Sequence, residues 1–372
     1  MAQIGDAKGE YRGLAYRNEA ELKAWLAKRA REAALEPALP IIDPHHHFWD
    51  TPQRGRYLLP ELLDDIGGGH NIVSTVFLEC RSMYRKDGAA EMAPVGEVEF
   101  VNGIAAMSAS GGYGACRVAE GIVGHADLTL GARVREVLEA EIQVGGSRFR
   151  GIRHGVSWDA SDAIQKFATR PIPPHQLRAP KFPEGFAQLA PLGLSFESWQ
   201  YHPQLRDAIP LAHAFPGTTI ILNHVGGVLG VGPYTGRRQE TLAGWKKDIG
   251  ELARCPNVNV KLGGVGMTSF GLRLPRARPA AILGRARRRL APVYRALHRG
   301  FWRQSLHVRE QLSAGQAVRR LHRAVERLQA HHFRCVGNGK EGPLQRHCGA
   351  GVPPDHTLTG RVRPGYQADF FC

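Results

Sequence analysis

From Leu39 to Gly264 the chain alternates short apolar runs with longer polar or amphipathic stretches. The runs are LPIID (39–43), VSTVFLEC (73–80), VAEGIVGHADL (118–128), FRGIRHGVSW (149–158), LSFESW (194–199), TTIILNH (218–224) and VNVKLGG (258–264). Their length and their Val, Ile and Phe content predict strands. Stretches such as GARVREVLEAEI (131–142) and YHPQLRDAIPLAHAF (201–215) lie between them and predict helices. Repeated β-α units of this kind imply a parallel sheet covered by helices. Seven strands suit a (β/α)8 TIM barrel that lacks its eighth strand. A doubly wound open sheet is the second choice, but no Gly-rich phosphate loop follows the first strand. Ahead of the barrel, residues 1–40 predict a helical extension. Asn18 can cap it, Glu21 completes a capping box, and Pro37 and Pro40 end it.

Composition changes the picture in one place only. The 43% hydrophobic and 22% charged content of these 372 residues is ordinary for a soluble α/β protein. No apolar run approaches the ~20 residues of a membrane helix, no signal-peptide pattern opens the chain, and no membrane partner is expected. Six scattered cysteines form no disulfide framework, so a reducing cytoplasm is the expected location. The net charge of +15, however, is local. Residues 272–372 hold 19 Arg, 1 Lys and 5 acidic residues, whereas residues 1–271 hold 29 basic and 29 acidic ones.

The chemistry begins at the end of the first strand, in DPHHHFWD (43–50). Residues i and i+2 of a strand share a face, so His45 and His47 project together and His46 points the other way. Two imidazoles so placed can grip one divalent ion, and the C-terminal end of a barrel strand is where such enzymes keep their chemistry. A turn with solvated histidines is the plain alternative.

DPHHHFWD resembles the first-strand signature of the amidohydrolase-related family of metal-dependent TIM-barrel hydrolases, in its branch of 2-pyrone-4,6-dicarboxylate lactonase-like enzymes. VFLECRSMYR (76–85), FRGIRHGVSWD (149–159), SFESWQYHPQL (195–205) and ILNHVGGVLG (221–230) extend the likeness over roughly residues 40–271. The resemblance implies a divalent metal, Zn²⁺ first, held by His45, His47, His202 and His224, with His202 and His224 also the candidate catalytic residues. It implies hydrolysis of a lactone or amide of a small, carboxylate-bearing compound through metal-activated water. Some relatives are decarboxylases, which stands as an alternative. Gly226 and Gly227 after His224 let backbone approach a ligand closely. Candidate substrate contacts are Glu79, Arg81, Tyr84, Arg153, His154 and Glu197. Only one of Arg153 and His154 can face the barrel interior, and arginine is the better carboxylate clamp.

After Gly271 the likeness stops and arginine falls on every face of any helix drawn through the chain. Codon degeneracy permits a one-base shift from Leu272 onward. Under that shift, Leu306–Gln316 becomes an apolar strand running into a Pro-rich loop, and Arg285–Arg295 becomes an amphipathic helix. Residues 272–372 therefore read as frameshifted and poorly ordered, which leaves the activity of this exact chain open. Resequencing the DNA across the codons for Met267–Pro279 is expected to reveal one surplus base. The alternative is a genuine basic extension that binds nucleic acid through phosphates. Against a nucleic-acid partner, the segment has no interleaved aromatics and no recognised motif. His331, His332, Cys335, His347 and Cys348 fit no zinc spacing, and GNGKEG is no phosphate loop.

Overall fold

Each of the seven apolar runs becomes one strand of a single parallel sheet. The computed structural model describes residues 10–11, 34, 37–52, 55–168, 170–271, 274–275 and 290–297. The strands are β1 (Pro40–His46), β2 (Asn71–Leu78), β3 (Arg117–Gly124), β4 (Phe149–Gly155), β5 (Ser195–Trp199), β6 (Ile220–Leu222) and β7 (Val258–Val260). They pair in sequence order from β1 to β7, every neighbour parallel. A doubly wound sheet reverses its strand order at a switch point. This one does not reverse, so it is a curled, incomplete (β/α)8 barrel.

Helices cover the outside because their apolar faces have nowhere else to go. They are α1 (Leu59–Ile66), α2 (Val95–Ala109), α3 (Val134–Gly145), α4 (Leu205–Ala214) and α5 (Arg238–Leu252). In α3, Val134, Val137, Leu138, Glu141 and Gly145 are the buried positions, a spacing that lays one stripe of the helix on the sheet. Trp245 of α5 is fully buried, and its indole N–H donates to the Val225 carbonyl at 2.9 Å, tying that helix to the loop after β6. Phe182 and Phe186 each pack edge to face against Phe196 in the same core.

Among the described residues, β1 and β7 each have a single ladder partner. An unpaired seam therefore separates them where a closed barrel would have another strand. A side chain crosses it. Lys261, just past β7, donates its Nζ to the Pro44 carbonyl of β1 at 3.0 Å.

Within the arginine-rich region, residues 290–297 form a helix. Leu290, Val293 and Leu297 are buried in the core, and the Tyr294 hydroxyl donates to the Leu262 carbonyl at 3.2 Å. That apolar spacing supplies a stripe despite the arginines around it. The rest of the expected N-terminal helix, the segment expected to restore an eighth strand, and the His331–Cys348 group lie outside the described residues. Among the described residues, Cys80, Cys116 and Cys255 form no disulfide with one another, and no helix is long and apolar enough to cross a membrane.

Candidate metal and active site

The alternation read along β1 holds in three dimensions. His46 turns outward, between Phe48 and Phe77 at ring distances of 4.8 and 5.9 Å, with its Nε2 2.8 Å from the Thr75 hydroxyl. Burial pushes its pKa down to about 3. His45 and His47 turn inward with ring centroids 5.0 Å apart. His224, directly after β6, brings its ring to 4.8 Å from His45.

The local backbone that delivers His224 is strained. His224 and Val225 both adopt φ 52°, a left-handed conformation that a β-branched residue rarely tolerates, and Gly226 and Gly227 continue it. A side chain on Gly227 would meet the Gln200 carbonyl oxygen at 1.9 Å. One on Gly264, after β7, would meet His224 Nδ1 at 2.2 Å. Glycine is therefore required where two loops close on the imidazole.

All three inward imidazoles are held neutral, the form in which a nitrogen can ligate. His45 is pushed well below its usual value, first by burial and then by the neighbouring Lys261 ammonium. His47 is depressed by burial and then by the Arg153 guanidinium. His224 falls to about 3, again by burial first and Arg153 second. His45 Nε2 and His224 Nδ1 are buried without hydrogen-bond partners. Such orphaned atoms are rare in a folded interior, and a missing ion is one of their causes. His47 Nδ1 lies 2.8 Å from the Leu78 carbonyl. A carbonyl can only accept, so Nδ1 carries the proton and the lone pair is on Nε2. The chemistry of these donors fits a divalent ion. Their arrangement is not yet a cage: among the described residues no three His, Cys, Asp or Glu side chains stand ready to hold a metal.

His202 has other neighbours. It opens the short turn after β5, its ring sits 5.0 Å from Tyr234, and its Nδ1 accepts the Leu229 N–H at 3.3 Å. Burial lowers its pKa to about 4. Tyr234 in turn donates to Asp159 at 2.7 Å, so His202 is committed to a contact between loops.

Beneath the imidazoles runs a buried polar chain. Lys261 donates to both oxygens of Glu197 at 2.6 and 2.8 Å, and Asn223 donates to Glu197 Oε2 at 2.6 Å. Arg153 reaches the Asn223 side-chain oxygen at 3.3 Å and Glu79 Oε1 at 2.8 Å, and also donates to the Glu79 carbonyl. Arg153 thus takes the inward position on β4. Its neighbour His154 packs outward against Phe182 at 5.5 Å, accepts the Leu128 N–H at 3.3 Å and touches Gln176. Arg81 and Tyr84 lie at the rim, the guanidinium 5.5 Å from the ring centroid of Tyr84. Burial raises the Tyr84 hydroxyl far above its usual pKa. Two members of the buried chain, Lys261 and Asn223, were not singled out from sequence. A lone lysine directly after the strand Val258–Val260 was the available signal.

His154 carries a consequence for pH. Burial puts its pKa at about 3, against an ordinary 6.5. Between those values the unfolded chain binds the proton and the folded one does not, so stability is full above pH 6.5 and falls as pH drops. The expected loss is about 1.4 kcal/mol per pH unit from this residue. Urea midpoints at pH 7 and pH 5 should fall less in His154→Gln than in the parent; parallel losses would contradict this assignment.

Comparison with known proteins agrees with the geometry. A family model described as Amidohydrolase matches residues 42–297. That match reaches past Gly271 to the end of the 290–297 helix. The uncharacterized protein y4mH of Sinorhizobium fredii is 30% identical over 260 residues, covering 64% of this chain and 77% of that protein. A crystal structure of an amidohydrolase from Burkholderia multivorans with bound zinc aligns with TM-score 0.54 at 20% identity, covering 77% of this chain and 91% of that one. A second crystal form with bound HEPES aligns equally. At that identity the structural likeness speaks for the fold.

Proposed function

The chain belongs to the amidohydrolase family and is a hydrolase; on that premise we propose that it hydrolyses a lactone or amide of a small carboxylate-bearing compound with the help of a divalent metal, Zn²⁺ first. The observation that carries the reading is the group of three inward, neutral imidazoles, two of them with buried, partnerless ring nitrogens at the C-terminal ends of β1 and β6. His45, His47 and His224 would hold the ion, and His202 could join only by giving up its Leu229 contact. A divalent ion there would polarise the carbonyl under attack and make a water easier to deprotonate.

The remaining work falls to the chain's own groups. The Leu78 carbonyl fixes the tautomer of His47. Glu79 and Asn223 hold Arg153 under the imidazoles, where a fixed cation favours the negative charge that develops on the carbonyl oxygen. Arg153 and Lys261 are already paired with Glu79 and Glu197, so neither is spare for a substrate carboxylate. The rim has better placed cations. Arg170 is half-buried, and burial first and the nearby Arg81 guanidinium second lower its pKa. Two arginines crowded together favour an anion between them, which supports a carboxylate-bearing substrate with Arg81 and Tyr84 among its contacts.

The test is a panel of lactones and amides, each as free acid and as methyl ester, assayed with metal-stripped and zinc-reloaded protein. Zinc-dependent hydrolysis of the free acids, with the esters at least ~10-fold poorer, is the expected result. Hydrolysis indifferent to metal removal would overturn the metal role. Release of CO₂ in place of a new acid group would move the reading to decarboxylation.

A further inference from the structure

Lys261 stands against one of the two ring nitrogens through which His45 could meet a metal. Its Nζ lies 3.4 Å from His45 Nδ1, in addition to its contacts with Glu197 and with the Pro44 carbonyl. An ammonium has only protons to give, so Nδ1 of His45 is the acceptor and the ring proton sits on Nε2. That Nε2 is the atom left buried without a partner. His47, two residues on, is set the opposite way by the Leu78 carbonyl. Two imidazoles on one face of β1 are thus held in opposite tautomers by what lies behind them.

We propose that Lys261 is a resident cation that competes with a divalent metal for His45. The inference rests on the metal reading above and adds a residue to it. If His45 is to ligate through Nδ1, the ammonium must withdraw from that atom. If it is to ligate through Nε2, the ring proton must pass to Nδ1, where the ammonium now stands. Both routes break the Lys261–His45 contact. Glu197 and the Pro44 carbonyl keep hold of the lysine when it moves, so its charge stays compensated. The same contact links the metal site to the seam, because the lysine that blocks His45 is the side chain that crosses from β7 to β1.

The experiment uses the full chain and a variant carrying both Lys261→Met and Glu197→Gln, so that neither charge of the pair is left buried alone. Zn²⁺ affinity is read by competition with a chromophoric chelator, and circular dichroism checks the fold. The variant is expected to bind Zn²⁺ about tenfold more tightly than the parent, because the ammonium that holds His45 Nδ1 is gone. Equal or weaker binding by a folded variant overturns the inference while leaving the metal reading intact. Binding by neither protein overturns both. If the variant fails to fold, ¹⁵N spectra of the parent's histidines decide. The inference requires the Nε2–H form for metal-free His45, the Nδ1–H form for His47, and a change at His45 when Zn²⁺ is added. A metal-free His45 in the Nδ1–H form contradicts it.

Discussion

Lys261→Met, made alone, is expected to lower the unfolding free energy by about 3–5 kcal/mol, the usual cost of removing one partner of a buried ion pair. Glu197 is fully buried, and without the ammonium its remaining hydrogen-bond donor among the described residues is the Asn223 amide. The Pro44 carbonyl loses its donor at the same time, and with it goes the side chain that crosses the seam between β7 and β1. The buried pair is weak evidence for stability as such, because an apolar replacement of both partners is often neutral. Hence the prediction has a second half: adding Glu197→Gln to Lys261→Met should recover most of the loss. Urea unfolding at pH 7 measures both. A single variant within 1 kcal/mol of the parent would show that the chain beneath the imidazoles does not hold the sheet together.

Substitution along HHH should separate metal binding from folding. His47→Ala is expected to cost at least ~100-fold in metal affinity, because it removes a donor that the Leu78 carbonyl has already oriented. His46→Ala is expected to leave the metal in place and instead destabilise the fold by about 2–4 kcal/mol. It would open a cavity between Phe48 and Phe77 and strip Thr75 of its imidazole partner. Elemental analysis after dialysis and thermal melts read the two effects independently. The reverse pattern, with metal lost from the His46 variant, would mean that the face assignment on β1 is wrong.

Much of this was legible in the order of residues, and the reasons are physical. The strands of a barrel sheet are buried on both faces, so they surface in the sequence as near-continuous apolar runs. All seven runs became strands, although β6 and β7 kept only Ile220–Leu222 and Val258–Val260. The residues that follow them, including His224, Lys261 and Gly264, build the site. The strand period of two separated His46 from its neighbours without any structure. That period could also say that Arg153 and His154 face opposite ways, yet not which faces inward, since that depends on the packing of Phe182 and Gln176 outside the barrel. Position in the chain brought His202 to the end of β5, but its direction is set by the Tyr234 and Leu229 loop, which no local pattern announces. Lys261 escaped notice because its partners, Pro44 and Glu197, are distant in sequence.

The central claim, that His45, His47 and His224 form a divalent metal site, is tested most directly by the metal content of the intact chain. The protein would be loaded with Zn²⁺ at pH 7.5, dialysed exhaustively, and analysed beside His47→Ala. About one equivalent in the parent and far less in the variant is the expected result. A folded parent that retains no metal, or a variant that retains as much as the parent, would contradict the account.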